Sequence, residues 1–162
     1  MSGAGRPDAT TVDASGLSLA IVGTRWHQEI TDSLVSRGVA AAAACGIPDP
    51  LVVRVPGAIE LSVVAAELAR HHDAVACLGA VIRGETAHFD FVAGECAAGL
   101  QRVALDTGVP VIFGVLTTDT VAQAQERARP GETNKGYEAA VTALEMVRLL
   151  ELLPRAPDDG GI

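Results

Sequence analysis

Four short apolar runs, each followed by a longer segment with helical spacing, most limit how this chain of 162 residues can fold. Runs of this length that stop at glycine or polar residues are typical of buried strands. The runs cover residues 17–23, 51–55, 74–82 and 109–115, and the helical segments cover residues 29–45, 59–71, 89–105, 120–129 and 135–153. Strands that alternate with helices predict a parallel sheet covered on both faces. We therefore expect one doubly wound α/β domain with a four-stranded parallel sheet.

The two ends of the chain differ in composition from the rest. Residues 1–16 are rich in small and polar types, so we expect a flexible arm, or an extra strand that pairs with a neighbouring chain. The domain itself is expected over residues 17–153, and a flexible tail over residues 154–162. The first 16 residues lack the hydrophobic core of a signal peptide, and no apolar run reaches the ~18 residues of a membrane span. A cytoplasmic protein is the resulting expectation.

Net charge and cysteine spacing disfavour several kinds of partner. Twenty acidic residues against twelve basic ones give a formal net charge of -8, which repels nucleic-acid phosphates and anionic membranes at long range. We therefore expect neither as a partner. The chain has three cysteines, Cys45, Cys77 and Cys96. An odd number of widely spaced cysteines without a Cys-x-x-Cys pair fits neither a zinc site nor a disulfide framework. They are predicted to be buried free thiols, and no metal site is expected.

The turns that follow the strands are the expected place for a ligand. In doubly wound sheets, ligands bind beyond the carboxyl ends of the strands. The predicted turns cover residues 23–27, 56–60, 83–88 and 114–119. They contain Trp26, Glu60, Thr86 and His88, and Phe113 comes just before the last of them.

The third turn has the features of an anion site. Gly84 lets the backbone approach a ligand, and the free N–H groups of the following helix favour a phosphate, with the Thr86 hydroxyl as an added donor. The alternative is that Thr86 only caps the helix. His88 is a candidate proton donor and acceptor, although a single histidine is more often structural. The turn lacks the glycine patterns of ATP-binding and NAD-binding loops, which disfavours both cofactors.

Two other turns carry residues suited to a polar, flat ligand. Trp26 is the single tryptophan and lies in a polar turn, where a heterocycle could stack on it. Glu60 could accept hydrogen bonds from a polyhydroxylated ligand. Its alternative role is to complement the dipole at the start of the following helix.

Arg127 and Lys135 are candidate cations for an anionic ligand. They flank the Pro130-Gly131 break, and Lys135 is the only lysine of the chain. An acidic protein that binds an anion needs local positive charge, which these two side chains provide. Because Glu126 and Glu132 lie close in sequence, ordinary surface ion pairs are the alternative.

Four motifs occur in the same order as in one known family. They are Pro-Gly-Ala-Ile-Glu at residues 56–60, Gly-Ala-Val-Ile-Arg-Gly-Glu-Thr-Ala-His-Phe-Asp-Phe-Val at residues 79–92, Pro-Val-Ile-Phe-Gly-Val-Leu-Thr-Thr-Asp-Thr at residues 110–120, and Asn-Lys-Gly at residues 134–136. With these motifs the chain resembles the lumazine synthases over approximately residues 17–153. The resemblance implies a flavodoxin-like fold and the condensation of 5-amino-6-(ribitylamino)uracil with 3,4-dihydroxy-2-butanone 4-phosphate to 6,7-dimethyl-8-ribityllumazine, without a metal or organic cofactor.

The resemblance also implies roles for single residues at the pyrimidine end of the site. Trp26 occupies the position of the aromatic residue that stacks on the pyrimidine, and His88 matches the proposed proton-transfer residue. The ring and the ribityl chain would be lined by Ala58, Ile59 and Glu60 and by the backbone of Val81 and Ile82. Phe113 corresponds to a residue that the neighbouring subunit contributes.

The phosphate end of the implied site includes a departure from the family pattern. Gly84, Glu85 and Thr86 match the phosphate-binding turn, Arg127 supplies the paired charge, and Lys135 matches a cation near that end. The carboxylate of Glu85 is unusual in such a turn, so its backbone is expected to bind while its side chain points away. The segment at residues 129–131 also differs from the linker expected in shell-forming members.

Assembly follows from the same resemblance. A homopentamer, or a multiple of pentamers, is implied, with active sites at subunit interfaces and a nearly inactive monomer. Two competing functions remain: a flavin-binding or lumazine-binding protein of the same flavodoxin-like fold, and a structural shell protein. The first leaves His88 and Lys135 without a role, and the second explains none of the turn residues.

Overall fold

A computed structural model of the protein describes residues 10–154. Four strands and five helices follow one another in the predicted order. They are β1 (Leu19–Thr24), α1 (Gln28–Ala44), β2 (Leu51–Val55), α2 (Leu61–Leu68), β3 (Ala74–Ile82), α3 (His88–Thr107), β4 (Val111–Thr118), α4 (Val121–Arg127) and α5 (Lys135–Leu152).

The strands form one parallel sheet in the order β2-β1-β3-β4, which confirms the predicted flavodoxin-like α/β architecture. All six residues of β1 are buried, as is most of β3, because these central strands have neighbours on both sides. Their unbroken apolar runs therefore reflect coverage by helices on both faces of the sheet.

Two apolar clusters form the two helical layers. Residues of α1, α4 and α5 pack on one face of the sheet, around Ile21, Leu34 and Leu144. Residues of α2 and α3 pack on the other face, around Leu61 and Leu100. Each layer buries the apolar side of its helices, which is the main source of stability in such a sandwich.

Strand β4 ends later than predicted, so the fourth turn begins later as well. We expected a strand over residues 109–115 and a turn over 114–119, whereas β4 continues to Thr118. Thr117 and Thr118 pair with Val81 and Ile82, and β-branched threonine suits an edge strand that is covered on fewer sides. Phe113 consequently lies in the middle of a strand and not beside a turn.

Helix α2 is shorter than predicted. The helical spacing covers residues 59–71, but regular helix spans only Leu61–Leu68. The following residues continue as turns, in which the N–H groups of Arg70 and His71 donate to carbonyls three residues earlier. Glu60 therefore stands immediately before the helix, at the end of the second turn.

The described part of the predicted N-terminal arm contacts the domain. Ala14 is fully buried, and its N–H donates to the carbonyl of Cys45 at 2.7 Å. Arg148 of α5 donates to the carbonyls of Asp13 and Ser15. Residues 1–9 of the arm, and all of the predicted C-terminal tail except residue 154, lie outside the described residues.

The cysteines are buried and free, as predicted. Burial raises the pKa of the Cys77 thiol strongly and that of Cys96 to about 11, so neither forms a reactive thiolate near neutral pH. Over residues 10–154, no group of three or more histidine, cysteine, aspartate or glutamate side chains is arranged to hold a metal ion. None of the helices in that range is long and apolar enough to cross a membrane.

Candidate active site

A pocket of about 480 Å³ opens beyond the carboxyl ends of β1, β2 and β3. We call it the carboxyl-end pocket. Nine of the predicted site residues line it: Trp26, Ala58, Ile59, Glu60, Val81, Ile82, Gly84, Thr86 and His88. Residues from three separate turns thus meet at the edge of the sheet where a doubly wound fold binds its ligands.

The first turn holds Trp26 with its ring open to solvent. The residue is 69% exposed, while its backbone carbonyl accepts a 2.7 Å hydrogen bond from the hydroxyl of buried Thr31. His27 has a left-handed backbone, with φ of 52°, and this sharp bend directs the chain into α1. A fixed backbone with a free indole face is suited to stacking on a flat ring.

The second turn brings a carboxylate and the indole together over a glycine. A Cβ atom on Gly57 would lie 2.9 Å from Oε2 of Glu60 and 3.7 Å from Cδ1 of Trp26. A larger residue here would displace the Glu60 carboxylate from its present position, while its contact with the indole would be an ordinary one. The aromatic face and the hydrogen-bond acceptor predicted from separate turns are therefore neighbours in one wall of the pocket.

The third turn offers open backbone to a ligand. No atom lies within 4 Å of a Cβ built on Gly84, and Ala87, which precedes α3, provides no side-chain cap. Thr86 Oγ1 accepts from the backbone N–H of His88 at a long 3.4 Å. His88 is the first residue of α3 and lines the pocket with an exposed side chain. First-turn N–H groups of a helix attract anions.

Unlike its neighbours Gly84 and Thr86, Glu85 does not line the described wall of the carboxyl-end pocket. Within residues 10–154, the wall of the carboxyl-end pocket includes Gly84 and Thr86 but not Glu85, whose side chain is exposed. Its role toward a phosphate stays a prediction.

The three remaining predicted residues lie elsewhere. Phe113, Arg127 and Lys135 line a second concave surface of about 400 Å³, formed by β4, the end of α4 and the start of α5. We call it the edge-strand pocket. Phe113 is 38% exposed on the outer strand of the sheet, and Arg127 donates to the carbonyl of Gln123 at 2.9 Å. Within one chain, the cations predicted for the phosphate are therefore not in the carboxyl-end pocket.

Comparison with known proteins supports the resemblance seen in the motifs. The model of the 6,7-dimethyl-8-ribityllumazine synthase family matches residues 16–151. The chain belongs to this family. It is 54% identical over 155 residues to the 6,7-dimethyl-8-ribityllumazine synthase of Thermobifida fusca, with 94% of this chain and 91% of that protein covered. It is 52% identical over 159 residues to that of Frankia casuarinae, with 96% and 99% covered.

The start of α5 in this lumazine synthase family member is fixed by a buried asparagine. Asn134 is fully buried, and its side chain accepts from the N–H of Gly136 at 2.8 Å. The same side chain donates to Ser33 Oγ at 3.3 Å and to the carbonyl of Arg129 at 3.0 Å. A Cβ on Gly136 would overlap the backbone carbonyl of Leu34. The Asn-Lys-Gly motif thus anchors Lys135 between α1 and the α4–α5 connection.

Glu138 was missed by the sequence analysis. It lines the edge-strand pocket and forms an ion pair with Lys135 three residues earlier, and both side chains are about a quarter exposed. The signal was available, since opposite charges three residues apart on a helix are neighbours. The edge-strand pocket therefore holds two cations and a carboxylate already paired with one of them.

Proposed function

We propose that the chain condenses 5-amino-6-(ribitylamino)uracil with 3,4-dihydroxy-2-butanone 4-phosphate, forming 6,7-dimethyl-8-ribityllumazine and releasing phosphate and water. Family membership supports the reaction class. The observation that carries the proposal is the meeting of Trp26, Glu60 and His88 in one pocket. Residues 17–153 are the proposed catalytic domain.

The pyrimidine substrate is proposed to bind at the Trp26 side of the carboxyl-end pocket. The exposed indole offers a face for the ring, and backbone groups are available at Ala58 in the turn after β2 and at Val81 and Ile82 at the end of β3. Glu60 then accepts hydrogen bonds from the ribityl hydroxyls, which is suited to a carboxylate that is close to the ring but still solvated. Ile59 provides apolar contact beside it.

His88 is proposed to move protons between the two substrates. The amine of the pyrimidine attacks the ketone, and loss of water gives a Schiff base. Phosphate is then eliminated, and the enol that results tautomerises to a ketone, which the second nitrogen attacks with loss of water to close the ring. Each step transfers a proton to or from nitrogen, carbon or oxygen, so a side chain that donates and accepts protons accelerates several of them by about 10²–10⁴-fold. Correct placement of both substrates supplies much of the remaining acceleration.

The third turn, which is proposed to bind the phosphate, lies in a region of net negative charge. Residues 83–90 together with residue 119 carry one arginine, Arg83, against the three carboxylates of Glu85, Asp90 and Asp119. A phosphate held on the backbone of Gly84 and Thr86 therefore needs cations from elsewhere. Arg127 and Lys135 are such cations, but they lie in the edge-strand pocket.

A neighbouring subunit resolves this separation. We propose that the edge-strand pocket of one subunit closes over the carboxyl-end pocket of the next, so that Phe113, Arg127 and Lys135 complete the site from across the interface. A closed ring repeats such a head-to-tail contact at every subunit. The proposed assembly is a homopentamer or a multiple of pentamers, and an isolated monomer is expected to be nearly inactive.

The reaction is tested by mixing the purified protein with both substrates and following lumazine absorbance and phosphate release together. The mass of the assembly is measured on the same sample by sedimentation. Accelerated and matched appearance of both products, relative to a reaction without protein, is expected. No acceleration in a sample shown to be oligomeric contradicts the proposal. Tight binding of lumazine or riboflavin in that sample would favour the non-catalytic binding protein.

A further inference from the structure

Arg83 is the first residue of the third turn, directly after β3, and its side chain contacts α3 and the segment that follows β4. Nε donates to Oδ1 of Asp119, just after β4, at 3.0 Å. The two terminal nitrogens donate to the two carboxylate oxygens of Asp90, in the first turn of α3, at 3.1 and 3.3 Å. The backbone N–H donates to the carbonyl of Thr118. One residue thus joins β3, β4 and α3 beside the turn.

The geometry is specific to an arginine. The guanidinium carbon lies over the Phe89 ring, 4.1 Å from its centre, while the terminal nitrogens form a fork on Asp90. A lysine has neither the fork nor the flat surface. Hydrogen bonds to Asp90, and then to Asp119, raise the pKa of Arg83. Like any arginine, it stays positively charged near neutral pH, and here that charge is already paired with two carboxylates.

These contacts decide what charge the third turn presents. Asp90 and Asp119 lie beside the turn that is proposed to hold the substrate phosphate. Unpaired, both carboxylates would repel a phosphate over several ångströms. Paired with Arg83, the two carboxylates are held in one orientation, and the positive charge of Arg83 offsets one of their two negative charges. Glu85, the third carboxylate of the region, is outside this cluster.

We propose that Arg83 is a positioning residue for the phosphate end of the active site. It fixes the base of the turn at residues 84–88 and lowers the repulsion between the phosphate and the carboxylates of Asp90 and Asp119. This inference rests on the proposed function. It concerns binding of the phosphate substrate and leaves the pyrimidine subsite unchanged.

The test compares Arg83→Met with the triple variant Arg83→Met/Asp90→Asn/Asp119→Asn. In Arg83→Met, KM for the butanone phosphate is expected to rise about tenfold, because two carboxylates are released near the turn. Inhibition by inorganic phosphate weakens in parallel, and KM for the pyrimidine stays within about twofold. In the triple variant, KM for the butanone phosphate returns to within about threefold of the unmodified value. Added salt reduces the defect of Arg83→Met by screening the repulsion.

Two further variants keep the test decisive. Arg102→Met removes an arginine that pairs with Asp106 on the same helix, away from the turn, and is expected to leave both KM values unchanged. If Arg83→Met does not fold, Asp90→Asn/Asp119→Asn tests the same idea, because the amide oxygens still accept from Arg83 while two negative charges disappear. KM for the butanone phosphate should then fall by about twofold or more.

An unchanged KM in Arg83→Met overturns the inference. The inference is also overturned if KM for the butanone phosphate is as high in the triple variant as in Arg83→Met, or if added salt does not lower the raised KM of Arg83→Met. A higher KM in Asp90→Asn/Asp119→Asn than in the unmodified protein would overturn it as well. Failure of the proposed function itself is distinguishable, since the unmodified protein would then form no lumazine. With an active unmodified protein, only the role of Arg83 is in question.

Discussion

The two pockets differ in chemistry as clearly as in position. The carboxyl-end pocket presents an exposed indole, a carboxylate and two histidines, among mostly small and apolar neighbours. The edge-strand pocket presents two cations, one of them paired with Glu138, and the ring of Phe113. The first is suited to a flat polyhydroxylated molecule, and the second to an anion. The chain therefore separates the two tasks of its proposed reaction, and its folding alone does not bring them together.

The largest expected effect tests whether the two pockets of different subunits form one site. Glu60→Ala impairs the carboxyl-end pocket, and Arg127→Ala/Lys135→Ala impairs the edge-strand pocket, so either protein alone should be nearly inactive. In rings assembled from equal amounts of both chains, about a quarter of the sites combine two intact pockets. We expect about that fraction of the unmodified activity.

Mixing Glu60→Ala chains with Trp26→Ala chains is the matched control. Both changes lie in the carboxyl-end pocket, so no mixed interface contains an intact pair beyond what either parent provides. If the mixture of Glu60→Ala chains with Arg127→Ala/Lys135→Ala chains is only as active as the average of the two separate proteins, both halves of the site lie in one chain.

The second prediction compares Gly84, which lines the carboxyl-end pocket, with Gly136, which follows Lys135 and packs against α1. Gly136→Ala places a methyl group against the backbone of Leu34, whereas Gly84→Ala enters open space. Gly136→Ala should lower the free energy of unfolding by about 3 kcal/mol or more, since backbone cannot yield as a side chain does. Gly84→Ala should change it by less than about 1 kcal/mol. Denaturant titration of both proteins checks this; equal stabilities would show that α1 and α5 can separate without cost.

Replacing His88 tests the chemical step within the carboxyl-end pocket. In His88→Ala, kcat should fall about 10²-fold, because proton transfers lose their donor and acceptor. KM for the pyrimidine should change little, since the indole and Glu60 remain. Steady-state kinetics with each substrate varied in turn separates the two parameters. Loss of pyrimidine binding would instead assign His88 a structural role.

Changes in KM for each substrate test whether the two pockets bind different substrates. Trp26→Ala should raise KM for the pyrimidine about tenfold through loss of stacking, with KM for the butanone phosphate nearly unchanged. Lys135→Met should do the reverse, because it removes a cation from the edge-strand pocket. Both constants are measured for both variants. Equal changes in the two constants would contradict separate subsites.

The smallest expected effect concerns Glu85. Over residues 10–154 the wall of the carboxyl-end pocket does not include Glu85, whose side chain is exposed, so Glu85→Gln should leave turnover within about twofold. The measurement is kcat and KM for the butanone phosphate. A large rise of that KM in Glu85→Ala would show that the side chain takes part in binding, contrary to the proposal that only the backbone does.

Sequence reasoning predicted the architecture because apolar periodicity records coverage by neighbouring layers. The central strands β1 and β3 read as unbroken apolar runs, and their positions were predicted to within about two residues. Strand β4 was misjudged at its end, since an edge strand can continue through threonines that a buried strand would avoid. The turn residues at the carboxyl ends were found because parallel strands place them at one edge of the sheet.

The sequence by itself determined the layers, the carboxyl-end pocket and the family, because local patterns and ordered motifs encode them. Tertiary structure decided which of the candidate residues share a pocket. In the structure Phe113 lies in the middle of β4 and shares the edge-strand pocket with Arg127, Lys135 and Glu138. These residues come from different elements and are distant in sequence from Trp26. It also showed Arg83 between two aspartates. Spacing along a chain does not report such contacts, because they depend on strand order and on how helices pack across the sheet.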